Sequence, residues 1–441
     1  MIEKSPKNEV TKDTFDLLLD NGLKPLFDKI NTEYLYWDKV KYLAPKGVRP
    51  EELWTAVKIM RSSTMKSVQM KGARLSFTIT EQMQKTLHEF DMNLGGNLGT
   101  LNLVPEKDHT FYLVSSIMEE AIASSQMEGA TTTRRVAKDM LRKGRKPQNK
   151  SQQMIFNNYQ TIDYIINNKD KEFTLENILE IHRHISAQTM DDAKDEGSFR
   201  KSDDIFVMNE ITGEIAHIPP PHDDIEVLLK NLCDFANNET QDGFIHPIVK
   251  SIILHFMLAY IHPFSDGNGR TARSLVYWYL IKQGYWLMQY LSISRIIYKS
   301  KPAYEKSFLY TESDDLDLTY FIQYNLKAMD DAFKELKKYL QRKINDADSM
   351  HILYNIKDIN ERQARILKIL KDLPMSIFTA TEISTRFGVD IKTARKDLQN
   401  LVTLGYMETR KMTGSKSIGY LRCENFEERI IEIERKGVKG K

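Results

Sequence analysis

Apolar side chains recur at helical spacing through most of the chain, and this pattern predicts a mainly α-helical protein. The clearest case runs from Pro247 to Ile261, which is typical of a helix buried in a hydrophobic core. The glycines that follow interrupt the pattern, and the next segment, Thr271 to Leu280, predicts a second helix. Similar spacing predicts further helices over 51–60, 111–129, 157–166, 174–189, 224–237 and 318–339.

Two short apolar runs break the helical pattern and predict a β-hairpin. They lie at 205–207 and 215–218, on either side of a polar turn that contains Gly213. Three consecutive prolines, 219–221, end the second run because proline cannot donate a hydrogen bond to a sheet. The free edge of a hairpin can pair with an extended peptide through main-chain hydrogen bonds.

The C-terminal segment has a separate pattern of three helices followed by two strands. The predicted helices are 365–373, 381–387 and 391–404, and the predicted strands are 405–408 and 418–421, joined by the polar turn 412–417. The last two helices flank Gly388-Val389-Asp390, which is helix-turn-helix spacing. The segment is similar to winged helix-turn-helix domains. We therefore expect three regions: a mixed helical region at 1–95, a helical core at 96–345 and a winged helix at 346–441.

Charge separates the last region from the rest. The chain has 63 Lys and Arg against 61 Asp and Glu, but residues 351–441 hold 18 against 12, so the basic excess is at the C-terminus. The predicted third helix corresponds to the recognition helix of a DNA-binding helix-turn-helix, and it carries Lys392, Arg395 and Lys396. DNA binding and a purely protein-binding role are both open for this region.

Composition is that of an ordinary soluble protein, with 41% hydrophobic and 28% charged residues. The two cysteines, Cys233 and Cys423, fall in different predicted regions, which favours a reducing compartment over a disulfide framework. The N-terminus has no apolar signal region, and no apolar run is long enough to span a membrane. A cytoplasmic protein without membrane contact is expected.

The loop between the two central helices, His262-Pro-Phe-Ser-Asp-Gly-Asn-Gly-Arg-Thr-Ala-Arg273, carries the candidate chemistry. A glycine-rich turn that opens a helix leaves backbone N–H groups free beside a positive dipole end, which is a phosphate site. Arg270 and Arg273 can add bidentate phosphate contacts, and Asp266 can hold Mg²⁺. His262 titrates near neutrality and suits a general base. A capped structural loop with a core histidine is the alternative.

This loop resembles the signature of the Fic family, HPFx[DE]GNGRxxR, with every fixed position filled. The resemblance implies a Fic-type helical core and transfer of AMP from ATP to a protein hydroxyl. It implies His262 as the base, Asp266 as the Mg²⁺ ligand, and nucleotide contacts by Gly267, Asn268, Gly269, Arg270, Arg273 and Tyr304. The family tends to carry Asn where this chain has Thr311, which leaves the nucleotide preference open. The predicted hairpin resembles the Fic flap, with Ile205, Phe206 and Val207 as target-docking residues.

A second resemblance lies upstream. Ser124 and Glu128, at the end of the predicted helix 111–129, share one face and match the Fic inhibitory motif [ST]xxxE[GN]. A carboxylate at a helix C-terminus is unfavourable for the dipole and suggests a partner cation. The resemblance implies that Glu128 pairs with Arg273 and keeps that arginine from the γ-phosphate of ATP.

The sequence therefore favours an adenylyltransferase held idle by Glu128, whose partners are target proteins with Ser, Thr or Tyr hydroxyls and the chain itself. Two alternatives stay open: a DNA-binding regulator with a nucleotide-sensing core, and an enzyme that removes AMP or transfers another phosphate-containing group. The target, the trigger and the oligomeric state, including a homo-oligomer, do not follow from the sequence.

Overall fold

The computed structural model describes residues 2–7, 9–95, 109–208, 213–238, 243–354, 356, 358–411 and 418–431. The chain divides into two compact units, 1–336 and 337–441. Helices dominate both units, so the prediction of a mainly α-helical protein is confirmed. The start of the predicted core region, 96–108, lies outside the described residues.

The first unit contains most of the helices and two short hairpins. Its helices are α1 (Lys12–Leu19), α2 (Lys24–Thr32), α3 (Trp37–Val40), α4 (Pro50–Ser62), α5 (Glu81–Phe90), α6 (His109–Met127), α7 (Arg134–Arg142), α8 (Lys150–Asn167), α9 (Leu175–Ser186), α10 (Ile225–Asn237), α11 (Pro247–Ile261), α12 (Asn268–Lys282), α13 (Ile293–Lys299), α14 (Lys301–Ser313) and the start of α15 (Thr319–Tyr354). Its antiparallel hairpins are β1 (Lys66–Met70) with β2 (Ala73–Phe77), and β3 (Val207–Met208) with β4 (Ile215–His217).

The aromatic side chains near the N-terminus form a small core. Tyr34, Tyr36, Trp37 and Trp54 are all buried there. Tyr42 is an exception: it is 78% exposed in a 3-10 turn at 41–43, and the Lys41 ammonium lies 4.8 Å from the centre of its ring. The β1–β2 hairpin was not predicted.

Helix α11 is the centre of the first unit. Its bounds agree with the prediction, since Pro247 occupies its first turn and the ring of His246 accepts a hydrogen bond from the backbone N–H of Ile248. It packs against α10 and α12. Helix α12 begins at Asn268, three residues before the predicted start, because Gly267 already provides its N-cap. The two helices therefore meet at the short loop 262–267.

The predicted β-hairpin is confirmed, but its first strand is displaced; we refer to this β3–β4 hairpin as the flap. Strand β3 begins at Val207, so Ile205 and Phe206 precede it, and the pairing with β4 is irregular between Val207 and Met208. Phe206 and Met208 are exposed, as is Ile215 on β4. Residues 209–212 of the predicted turn lie outside the described part of the chain.

The second unit folds around its own core. It contains α16 (Glu361–Asp372), α17 (Ala380–Phe387), α18 (Ile391–Thr403), β5 (Met407–Lys411) and β6 (Ile418–Arg422), the last two paired antiparallel. Gly388 has a φ of 64° and lets the chain turn directly from α17 into α18, which Asp390 caps. The order of elements is the one predicted for a winged helix; the turn 412–417 lies outside the described residues. Within the described chain, no helix is long and apolar enough to cross a membrane.

Candidate active site

His262 stands where α11 ends, in a backbone conformation that turns the chain sharply. Its φ and ψ are 50° and 57°, in the left-handed region that non-glycine residues seldom occupy. Its Nδ1 lies 3.3 Å from the carbonyl oxygen of Ala259. A carbonyl only accepts, so Nδ1 carries the proton in the neutral ring and the lone pair is on Nε2. The loop therefore presents a base.

The electrostatic surroundings keep this ring neutral. The pKa of His262 is lowered to about 4, mainly by burial and also by the charges of His217 and Arg200, which together outweigh the raising effects of the Ala259 carbonyl and the Glu128 carboxylate. At neutral pH the imidazole is unprotonated and can accept a proton. A neutral, correctly oriented base follows from burial and one backbone hydrogen bond.

The N-terminus of α12 faces the same loop. Gly267 is its N-cap with a φ of 85°, and a Cβ there would lie 3.2 Å from Nε2 of His182, so glycine is required for two reasons. The first-turn N–H groups and the dipole of the 15-residue helix make this end attractive to anions. The carboxylate of Asp266 accepts a hydrogen bond from the Gly267 N–H at 2.5 Å and therefore lies beside this end of the helix.

A carboxylate already lies against this anion site. Oε1 of Glu128 is 2.8 Å from Nη2 of Arg273. Nε and Nη2 of Arg273 also donate to the hydroxyl and the carbonyl of Ser124, at 2.9 and 3.0 Å. A Cβ at Gly269 would collide with the Glu128 carboxylate, so this glycine makes room for it. Ser124, Glu128, Gly269 and Arg273 thus form one cluster, which we name the Glu128 clamp.

Charge explains why the clamp is stable. Burial opposes the charge on Arg273, but the pKa of Arg273 is still raised, by Glu128 first and also by Tyr304 and Glu120. The side chains of Arg273 and Glu128 are 5% and 26% exposed, so solvent screens the pair only in part. Arg273 is therefore held by Glu128 and Ser124 in this conformation.

Helix α6, which carries Ser124, is itself anchored by a buried carboxylate. Glu120, two turns before Glu128, accepts from the backbone N–H of Ser294 at 2.9 Å and from the Ser294 hydroxyl. Burial raises the pKa of Glu120. This contact fixes α6 against the start of α13.

Two of the predicted nucleotide ligands lie within the loop structure. The side-chain amide of Asn268 makes two hydrogen bonds to the backbone of Phe264. Its oxygen accepts from the N–H at 2.9 Å, and its nitrogen donates to the carbonyl at 2.7 Å. A direct phosphate contact would require Asn268 to give up one of these bonds. Arg270 is fully buried and makes only long contacts, 3.3 Å to Asp266 and 3.4 Å to Ile185, while its Nε has no hydrogen-bond partner among the described residues.

Tyr304 and Thr311, the two positions in α14 that bear on nucleotide recognition, are both buried. Tyr304 is in α14, and its hydroxyl lies 2.9 Å from Nε2 of His255. Thr311, one helix turn past Ser307 in α14, is completely buried, and its hydroxyl finds no partner within the described chain. Tyr304 also acts electrostatically on Arg273, which places it beside the Glu128 clamp.

His182 holds the loop 262–267 in place through three contacts. Its Nε2 donates to the carbonyl of Asp266 at 2.9 Å, its Nδ1 accepts from the N–H of Gly197 at 3.1 Å, and its ring stacks on Phe264. These contacts suit one neutral tautomer, and burial lowers the pKa of His182 to about 4. No local sequence pattern marks His182 for this role.

Arg200 joins the loop to the flap. Its Nε donates to the carbonyl of His262 and its Nη1 to that of Ser202, each at 2.9 Å. Its Nη2 donates to the carbonyl of Pro220 at the end of the flap. Arg200 therefore connects the backbone of His262 with the segment that follows strand β4.

The donors present fit a magnesium ion shared with a nucleotide. Asp266 is half exposed at the mouth of the anion site. Across the described residues, no cluster of three or more His, Cys, Asp or Glu side chains forms a complete metal site. Mg²⁺ is commonly held by one or two carboxylates together with substrate phosphates, so a single carboxylate is sufficient.

Comparison with known proteins agrees with this geometry. A crystal structure of a Fic family protein from Desulfovibrio desulfuricans covers 79% of this chain and 97% of its own, with a TM-score of 0.50 and 20% identity. This likeness defines the fold as Fic-type. Residues 172–280 match the model of the Fic/DOC family. The matched residues include the loop 262–273 and most of α12.

Curated relatives match the same part of the chain. The Protein adenylyltransferase Fic of Aedes aegypti is 36% identical over 118 residues, which is 27% of this chain and 21% of the relative. The protein of the same name from Nematostella vectensis is 33% identical over 117 residues, 26% of this chain and 25% of the relative. The match spans about a fifth to a quarter of these relatives.

Proposed function

We propose that the chain is a protein adenylyltransferase that transfers AMP from ATP to a hydroxyl of a target protein, and that Glu128 holds it idle. The observation that carries this proposal is the neutral imidazole of His262 beside the anion-binding start of α12. A base and a phosphate site on one loop suit nucleotidyl transfer, and relatives named protein adenylyltransferase match this domain. We also propose that the protein is cytoplasmic.

In the proposed reaction, Nε2 of His262 takes the proton of a Ser, Thr or Tyr hydroxyl. The hydroxyl oxygen forms a bond to the α-phosphorus of ATP while the bond to the β-phosphate oxygen breaks, and pyrophosphate leaves. The N–H groups at the start of α12 stabilise the growing negative charge. Mg²⁺ held by Asp266 and the phosphates would supply charge neutralisation.

The flap and the clamp set when the reaction occurs. The exposed apolar residues of β3 and β4 support docking of an extended target segment beside His262. Arg273 is the proposed γ-phosphate ligand, and its contacts with Glu128 and Ser124 compete with that role. Departure of Glu128 would free both Arg273 and the space above Gly269.

Labelled ATP tests the activity. The purified full chain, Mg²⁺ and ATP labelled at the α-phosphate are incubated with the His262→Ala chain as acceptor, to which covalent label is expected to transfer. Label at the γ-position should not transfer. Absence of transfer to this acceptor and to lysate proteins, even from the Glu128→Gly variant, would refute the proposal, and loss of AMP from pre-labelled acceptor would indicate removal instead.

The pH dependence of kcat/KM is expected to reflect the neutral state of His262. Since the pKa of His262 is about 4, kcat/KM should rise as pH increases through about 4 and level off before neutrality. Glu128 raises that pKa, so the Glu128→Gly variant should show a lower midpoint. Steady-state rates between pH 3.5 and 8, with folding monitored by circular dichroism, provide the measurement. A midpoint near 6.5 would contradict a buried base.

An exposed basic face of helix α18 supports a DNA-binding role for the second unit. Lys392, Arg395 and Lys396 are exposed along one face of α18 and have no ion pair within the described chain. Their spacing places them on the side that a recognition helix turns to the major groove. We propose that this face binds DNA phosphates, either as a targeting device or as the activity of a regulator.

Replacing these three residues with alanine is expected to weaken DNA binding and reduce its salt dependence. Each lost phosphate contact lowers the slope of log K against log salt by about 0.9, so a reduction of about 2 to 3 is expected. Anisotropy with a duplex between 50 and 200 mM salt measures it. Removing three exposed lysines of the first unit, Lys12, Lys24 and Lys29, is the charge-matched control, and equal effects of both triple variants would contradict the proposal.

A further inference from the structure

A histidine on the flap uses both of its ring nitrogens. Nδ1 of His217 lies 2.8 Å from Oε2 of Glu312, and Nε2 lies 2.7 Å from the carbonyl oxygen of Tyr260. A carbonyl and a carboxylate only accept, whereas a neutral imidazole has one N–H. A proton on Glu312 would also satisfy both contacts, but a carboxyl group ordinarily loses its proton about two pH units below an imidazole. The geometry therefore indicates an imidazolium at neutral pH.

The surroundings of the ring favour a positive charge. The carbonyl of Tyr260 lies in the last turn of α11, at the negative end of the helix dipole. The N–H of Phe264, four residues further, donates to Asn268 instead of to Tyr260. His217 and Glu312 side chains are 9% and 21% exposed, so the pair is largely shielded from salt.

This contact connects the flap to the catalytic loop. Strand β4 contributes His217, α14 contributes Glu312, and α11 contributes Tyr260, two residues before His262. The β3–β4 ladder is only two to three residues long and irregular. A hairpin of this size is only marginally stable by itself, so contacts with the helical core are needed to fix its position. Arg200 holds the end of the flap at Pro220, and His217 holds its second strand.

The same charge acts on the base. Burial is the largest cause of the lowered pKa of His262, and the charge of His217 adds to it. The charged groups around this region are Glu312 from α14, Arg200 from the loop before the flap and Glu128 from the turn after α6. A positive His217 opposes a second positive charge on His262. Two histidines with opposite protonation states fit one acid–base site.

We propose that His217 is a positioning residue of the transfer site: as an imidazolium bound to Glu312 and Tyr260, it holds strand β4 in place for target docking and favours the neutral form of His262. This inference rests on the proposed adenylyltransferase activity for its kinetic consequences. Its structural part does not depend on that activity.

The protonation state can be measured without any reaction. Nitrogen NMR of the full chain labelled at the histidine rings should show an imidazolium at His217 at pH 7 in the wild type. Glu312→Gln, which keeps an acceptor but removes the charge, should make that ring neutral at the same pH. His88, exposed on α5, provides a solvent-exposed reference. A neutral His217 ring in the wild type at pH 7 would overturn the inference, whatever the enzyme does.

Kinetics then separate positioning from a general structural role. In the Glu128→Gly background, with the His262→Ala chain as acceptor, His217→Gln and Glu312→Gln should raise the KM for the acceptor about tenfold. The KM for ATP should change by less than threefold, and His88→Gln should change neither value. The wild-type flap should show the same rise in acceptor KM at high pH, whereas Glu312→Gln should already show it at pH 7.

The outcomes are distinguishable. Equal losses in acceptor and ATP parameters, or an acceptor KM independent of pH, would make His217 a structural residue only. If no variant transfers AMP to any acceptor, the proposed function fails while the NMR result still decides the charge of His217.

Discussion

Glycine in place of Glu128 is expected to raise the rate of AMP transfer by roughly 30- to 140-fold. Glu128 and Arg273 form a partly buried ion pair with N–O distance 2.8 Å, and such pairs contribute about 2 to 3 kcal/mol when solvent screens them in part. ATP binding in the productive orientation must overcome this contact, and each 1.4 kcal/mol is about a tenfold change. Initial rates with labelled ATP give the ratio.

The substitution also adds a flexible residue after α6, so a control must separate the two effects. Gln126→Gly weakens the last turn of the same helix without touching Arg273; its amide bonds Thr132 instead. We expect little activation from this variant. Similar activation by both variants would assign the effect to loosening of α6, and no activation by Glu128→Gly would remove the clamp from the regulation of the enzyme.

The clamp illustrates what a sequence can and cannot predict. Ser124 and Glu128 are about 145 residues from Arg273, and only the family resemblance linked them before the structure did. The helices α11 and α12 were predictable from local pattern alone, because apolar periodicity and glycine placement are local signals. The β1–β2 hairpin was not predicted because each of its strands buries only two apolar side chains, which is a short alternating pattern. These are Val68 and Met70 in β1, and Leu75 and Phe77 in β2.

Residues that hold the catalytic loop and the flap in position were the hardest to predict from the sequence. His182, Arg200 and His217 act through contacts with partners 43 to 95 residues away. Nothing in their local spacing distinguishes them from core or surface residues. The signature residues were predictable because glycine, histidine and arginine converge within twelve positions, whereas the buried state of Arg270 and the loop-bracing bonds of Asn268 depend on tertiary packing.

Alanine in place of His262 is expected to lower the rate of AMP transfer by about a thousandfold, within the range of 10²- to 10⁴-fold usual for a general base. The choice of this histidine follows from its free nitrogen. His182 and His217 use both ring nitrogens, and His255 is buried with its Nε2 on Tyr304. Among the described residues, His262 alone in this group of four has an Nε2 without a hydrogen-bond partner, on the side of the ring opposite its bond to Ala259.

The experiment belongs in the Glu128→Gly background, where the starting rate is high enough to measure a large loss. Equilibrium binding of ATP should change by less than about threefold, since the proposed phosphate contacts are α12 and Arg273. His184→Ala, on the outer side of α9 against Tyr164, is the matched control and should keep full activity. Loss of ATP binding in His262→Ala would make the residue a ligand of the nucleotide, and retained transfer would place the base elsewhere. Only a loss of rate with ATP binding intact agrees with an imidazole that acts on the target hydroxyl.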